Sequence, residues 1–64
     1  MQPYQERVVM ELKELEDKRT KLGEFLKGVT VVDPVERQRL KYQHEIMGLY
    51  ANILRDRIAN FLEN

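Results

Sequence analysis

The chain contains no cysteine, carries no excess of either charge, and has only three glycines and two prolines among its 64 residues. Without cysteine there are no disulfides, no thiolate zinc sites and no thiol nucleophiles, a usage that fits a reducing cytoplasm. With 11 Lys plus Arg against 11 Asp plus Glu, the diffuse positive field of a duplex-DNA binder is missing, so an anionic ligand must be caught by a few placed cations. No apolar run approaches the roughly 20 residues of a membrane span, and the N-terminus lacks the charged-then-apolar layout of a signal peptide. The expectation is a soluble, cytoplasmic protein with no membrane partner. Enzyme signatures are absent too. His44 is the single histidine, and His44-Glu45 lacks the second histidine of a zinc protease helix, so it reads as a surface or interface residue. Gly23, Gly28 and Gly48 are too scattered for a phosphate-cradling loop, and no nucleophile elbow or carboxylate-rich cation loop occurs. The sequence predicts no catalytic residue, no metal and no cofactor.

What is present is helical periodicity. It predicts one domain of two helices, about residues 3–26 and 34–62, joined by a loop over 27–33 that holds Gly28-Val29-Thr30-Val31-Val32. Asp33-Pro34-Val35-Glu36 orders residue types as a helix start requires: Asp33 accepts from exposed N–H groups, Pro34 sits where its missing donor costs nothing, and Glu36 can close a capping box. The fold class is therefore all-α, an antiparallel two-helix hairpin.

In the first helix Val8, Leu15 and Leu22 recur every seven residues, with Leu12 and Leu26 widening the stripe. A second column, Tyr4, Glu11, Lys18 and Phe25, is charged at two of its four members. Glu11 and Lys18 fit either the edge of a seam, with the Lys stem over apolar neighbours, or a ligand pocket at a subunit boundary. Glu14, Glu16 and Asp17, interleaved with Lys13, Lys18, Arg19 and Lys21, read as a solvated, pair-stabilised face. In the second helix Leu40, Met47, Leu54 and Phe61 repeat every seven residues, while Ile46, Leu49, Ile53 and Ile58 extend the apolar sector past half the circumference. Gly48 and Ala51 suit a close helix crossing. Of Arg55 and Arg57, about 200° apart on a helix, Arg57 is the inward candidate. A hairpin this small buries only about 60% of its unfolded surface, so self-association into a homo-oligomer is the expected remedy.

Tyr4 offers a ring for stacking, Lys18 and Arg19 offer cations, and Thr20 a hydroxyl, which are materials for holding a nucleotide. Tyr4 and Lys18 are about 21 Å apart along one helix, so two copies would be needed to close both on a small ligand. The run Tyr4-Gln5-Glu6-Arg7-Val8-Val9, with Glu11, Leu12, Leu15, Lys18, Lys21-Leu22 and Phe25, then Tyr50, Ile53-Leu54, Arg57-Ile58 and Phe61, resembles the anti-CBASS protein 2 family of small phage proteins. That resemblance implies a sponge that sequesters cyclic dinucleotides and trinucleotides of bacterial immunity without cleaving them, in the host cytoplasm. It also implies a helical hexamer, a dinucleotide site at Tyr4, Lys18 and Thr20, and a trinucleotide site using an arginine of the last helix. Arg57 is the candidate for that arginine, with Arg55 the other. The alternatives are a small helical protein-interaction module and a single-stranded nucleic-acid binder, the second disfavoured by zero net charge.

Overall fold

The computed structural model describes residues 1–28 and 33–63, and within them it contains two α-helices and no strand: α1, Pro3–Gly28, and α2, Pro34–Glu63. Both helices start on the same device, a proline in the first helical position. At α1 the Gln2 carbonyl accepts from the N–H groups of Gln5 and Glu6 at 3.0 and 3.1 Å, while the Gln2 N–H donates to Gln5 Oε1 at 2.8 Å. That is the reciprocal half of a capping box, with glutamine in the role usually given to glutamate. At α2 the Glu36 N–H donates to Asp33 Oδ2 at 3.2 Å, and the Arg37 N–H reaches the Asp33 carbonyl at 2.9 Å. Asp33 is therefore the N-cap that its position announces.

At its C-terminal end α1 is longer than its periodicity predicts. The sequence places Lys27 and Gly28 in the loop, whereas both belong to the helix. One physical reason is visible: Arg37 Nη2, from the first turn of α2, donates to the Leu26 carbonyl at 2.8 Å, satisfying one of the last-turn acceptors and placing a cation at the negative end of the helix dipole. The remaining loop positions, Val29 to Val32, lie outside the described residues.

Cross-helix pairs run in opposite directions along the two helices, from Tyr4 with Phe61 at the open end to Leu26 with Arg37 at the closed end, so the hairpin is antiparallel. The molecule measures 47 × 14 × 14 Å, a rod one helix pair thick. Such a rod has no third layer, and the core is correspondingly thin. Val8, Ala51 and Leu54 are buried, Leu54 completely, while Leu12, Leu15, Leu22, Leu26, Leu40, Met47, Ile58 and Phe61 are half-buried. No described helix is long and apolar enough to cross a membrane.

The predicted close backbone crossing at Gly48 takes a different form. Ala51 is buried in the seam, but Gly48 receives a side chain: a Cβ added there would lie 2.6 Å from Arg19 Nη2 and 2.8 Å from its Cζ. Gly23 on α1 does the converse, where a Cβ would lie 3.0 Å from His44 Nε2. Each helix thus offers a glycine one turn away from the residue it inserts into the other, Arg19 with Gly23 on α1 and His44 with Gly48 on α2.

Candidate functional site

The two edges of the hairpin differ, and helical geometry assigns each candidate residue to one of them. At about 100° per residue, Tyr4, Glu11 and Lys18 lie about 40°, 60° and 80° to one side of Val8, while Gly23, Glu16 and Thr20 lie about 60°, 80° and 120° to the other. On α2, counted from Leu54, Tyr50 and Arg57 fall to one side and His44 and Arg55 to the other. Cross-helix bonds match the sides: Tyr50 donates to Glu11, whereas Arg55 pairs with Glu16 and Arg19 reaches His44. Tyr4, Lys18 and Arg57 therefore share one edge, here the tyrosine edge. Thr20 stands on the opposite, arginine edge.

On the arginine edge the polar groups are engaged with one another. Arg19 Nε donates to the His44 carbonyl at 3.2 Å, and Arg55 bridges Asn52 Oδ1 and Glu16 Oε1, each at 2.9 Å. Glu16 is thereby taken from the solvated charge face on which the sequence places it. Asp17 and Lys21 do behave as that reading expects, an exposed pair at 3.1 Å one turn apart. Two open grooves flank this edge, and Thr20 and His44 line both. The expectation that Arg57 turns inward is not met. Arg55 is the arginine that crosses the seam, while Arg57 is exposed and lines an open groove with Asp56, Ala59 and Asn60. Sequence spacing alone leaves this choice open, because it depends on where the facing carboxylate lies; Glu16 lies across the seam from Arg55.

On the tyrosine edge the pattern is looser. Tyr4 meets Phe61 edge-to-face, ring centroids 5.7 Å apart and planes at 79°, leaving half of Tyr4 exposed. Lys18 is exposed and makes no hydrogen bond or ion pair with another described residue. Tyr50 holds its proton more tightly than an ordinary phenol, chiefly because it donates to the Glu11 carboxylate and secondarily through partial desolvation and the Glu11 charge, with the Arg57 guanidinium pulling the other way. Tyr50 is a site-edge residue that sequence reasoning left out of the candidate site. The hint was its place in the Gln43, Tyr50, Arg57 column, seven residues before an arginine.

Beside this edge runs an uncovered apolar stripe on α2. Val35, Tyr42, Ile46, Leu49 and Ile53 are 56–63% exposed, and all lie about 80–140° from Leu54 on the tyrosine side. Val9 and Met10 on α1 are exposed as well.

Residues 2–60 match the family model named Sequestin. The chain belongs to the Sequestin family. The name denotes sequestering, so the coarse functional statement is of a protein that captures and holds something. No curated protein and no solved structure matches the chain.

Proposed function

We propose that this Sequestin chain is a phage immune-evasion sponge, a homo-oligomer that captures cyclic dinucleotides or trinucleotides between its subunits and breaks no bond in them. The observation that carries this reading is the tyrosine edge: a half-exposed ring, Tyr4, a Lys18 with no ion pair among the described residues and an exposed Arg57 stand beside an apolar stripe that no part of the described hairpin covers. A phosphodiester is anionic, and a charge-assisted bond from Lys18 is roughly twice as strong as a neutral one. Stacking on Tyr4 adds about 1–3 kcal/mol per base. Since nanomolar capture corresponds to about −12 kcal/mol, one protomer's open grooves are too little, and each pocket must draw on several copies. Thr20, on the other edge, joins Lys18 on one ligand only if that ligand bridges two protomers.

The resemblance to the anti-CBASS protein 2 family supplies the substrate class, the hexamer and the cytoplasm of an infected bacterium as the place of action. The test is calorimetry of the purified protein against a panel of cyclic oligonucleotides, followed by heating to release and identify intact ligand. The expected outcome is tight binding of at least one cyclic dinucleotide, weakened about tenfold or more by Lys18→Ala with the oligomer intact. Unchanged affinity in that variant removes Lys18 from the site. Absence of any cyclic ligand, with capture of a host protein instead, would establish the interaction-module alternative, which draws on the same apolar stripe.

A further inference from the structure

The exposed stripe on α2 has the spacing of a coiled-coil seam. Tyr42, Ile46, Leu49 and Ile53 are separated by four, three and four residues, and continuing the alternation adds Val35 and Arg39 before them and Asp56 and Asn60 after. The isoleucines fall in one class of seam position, with Arg39 and Asn60. Val35, Tyr42, Leu49 and Asp56 fall in the other. The inner seam against α1 uses a different face, so this second seam is unoccupied within the described hairpin.

We infer that a second copy of this chain covers the stripe, α2 against α2, antiparallel about a two-fold axis level with the Met47–Gly48 peptide. The charges choose the direction. A parallel pairing would set Arg39 against Arg39 and Asp56 against Asp56, like charges in contact at both ends. An antiparallel pairing in this register sets Arg39 against the partner's Asp56, Tyr42 against the partner's Ile53 and Ile46 against the partner's Leu49. Every layer then joins one position class to the other. Flanking the seam, Glu36 comes within two residues, about 3 Å along the helix axis, of the level of the partner's Arg57. The same two-fold repeats each contact, so four carboxylate–guanidinium matches bracket a wholly apolar centre.

Arg39 is already within 3.6 Å of Glu36 on its own helix, both side chains solvated, so the cluster is half assembled before the partner arrives. Asp56 has no hydrogen bond or ion pair with another described residue. Five large apolar side chains, each more than half exposed and contiguous along one helix, form the kind of patch that marks an interaction surface. Exposed ion pairs contribute little affinity; what they supply here is orientation and register.

The inference rests on the self-association in the proposed function and deepens it. A two-fold normal to the paired α2 helices leaves both α1 helices on one side of them. The two tyrosine edges then face each other across a groove floored by Tyr50 and Arg57 of both copies, with Lys18 on each wall. The ligand crevice is incomplete without the second chain.

The test uses the full chain without nucleotide, so that assembly and ligand capture fail or succeed separately. Sedimentation equilibrium measures self-association of the native chain, R39D, D56R and the R39D/D56R double variant, with circular dichroism confirming helicity. Each single variant is expected to weaken association about tenfold or more, since a like-charge contact replaces an attractive one at both ends, and the swap to restore it. A double variant no better than the singles overturns the register. Because the chain has no cysteine, direction is read independently by disulfide formation. A Tyr42→Cys chain mixed with an Ile53→Cys chain is expected to cross-link, and neither to cross-link alone. Tyr42→Cys linking to itself would show a parallel pair and overturn the inference, as would a native chain that remains a single subunit at micromolar concentration.

Discussion

Helix α2 carries two apolar faces of similar composition and opposite fate. The inner one, Leu40, Met47, Leu54 and Phe61, meets α1 and is half-buried to fully buried, while the outer one, Val35, Tyr42, Ile46, Leu49 and Ile53, is left bare. Hydrophobic periodicity does not separate them, because it reports what a face could bury and not whether anything arrives to cover it. A hairpin supplies one partner helix. The second face is the part of the sequence that a single copy leaves unused, and it lies beside the candidate ligand edge. The two faces should therefore respond differently to the same kind of change.

The largest effect is expected on the inner face. Leu54 is the large side chain buried completely, and Leu54→Ala should cost about 2–5 kcal/mol through lost transfer energy and the cavity left behind. A core this thin has about that much to lose, so the dilute variant should be largely unfolded. Leu49→Ala on the outer face should leave the stability of the dilute chain within about 0.5 kcal/mol of native, and instead abolish the rise of Tm with protein concentration. Urea titration at two concentrations a hundredfold apart reads both. If Leu49→Ala destabilised the dilute chain as much as Leu54→Ala, the distinction between the faces would be gone.

A smaller effect separates the two edges. On the arginine edge, Arg19 lies over Gly48 and donates to the His44 carbonyl. Arg19→Ala should cost about 1 kcal/mol, the net value of a part-buried hydrogen bond. Gly48→Ala gains about 1 kcal/mol of helix propensity but pushes the guanidinium aside, so alone it should be nearly neutral. The informative quantity is the double variant: with Gly48→Ala already present, Arg19→Ala should cost much less, a coupling of about 0.5–1 kcal/mol in a urea-denaturation cycle. Additivity would mean that the glycine has no part in seating the arginine.

Much of this architecture is legible in the residues. Asp33-Pro34 announces the start of α2, and the seven-residue columns announce a hairpin with apolar surface to spare. The end of α1 is not, because Lys27 and Gly28 stay helical with help from Arg37, eleven residues beyond Leu26 in the chain. The choice between Arg55 and Arg57 is not legible either, since it turns on Glu16 facing one and not the other. For the candidate site, the column Tyr4, Glu11, Lys18, Phe25 runs along one edge of the hairpin. Lys18 and Thr20 look adjacent in the sequence, yet a two-residue step turns about 200° around a helix and carries them to opposite edges.

The finest distinction concerns the polar seal of the tyrosine edge, and a titration reads it. Tyr50 donates to Glu11, and the phenol's pKa lies above its ordinary value of 10.0 for that reason first. A group whose folded pKa is raised contributes stability that is fully present below the unfolded value and is lost as pH rises through the folded one. The Tyr50–Glu11 contact should therefore hold across neutral pH and break only in the alkaline range, above pH 10. The difference between the ultraviolet titrations of the native chain and Tyr50→Phe isolates this one phenol. Two substitutions should move it in opposite directions. Glu11→Gln removes the acceptor charge and should bring the Tyr50 midpoint down toward the ordinary value, whereas Arg57→Ala removes the cation that favours the phenolate and should push it higher still. Shifts of the same sign would mean that Glu11 and Arg57 do not act on Tyr50 from opposite sides. If both variants also retained native self-association, the seal would belong to the hairpin itself; loss of association in Arg57→Ala alone would tie that guanidinium to the partner's Glu36.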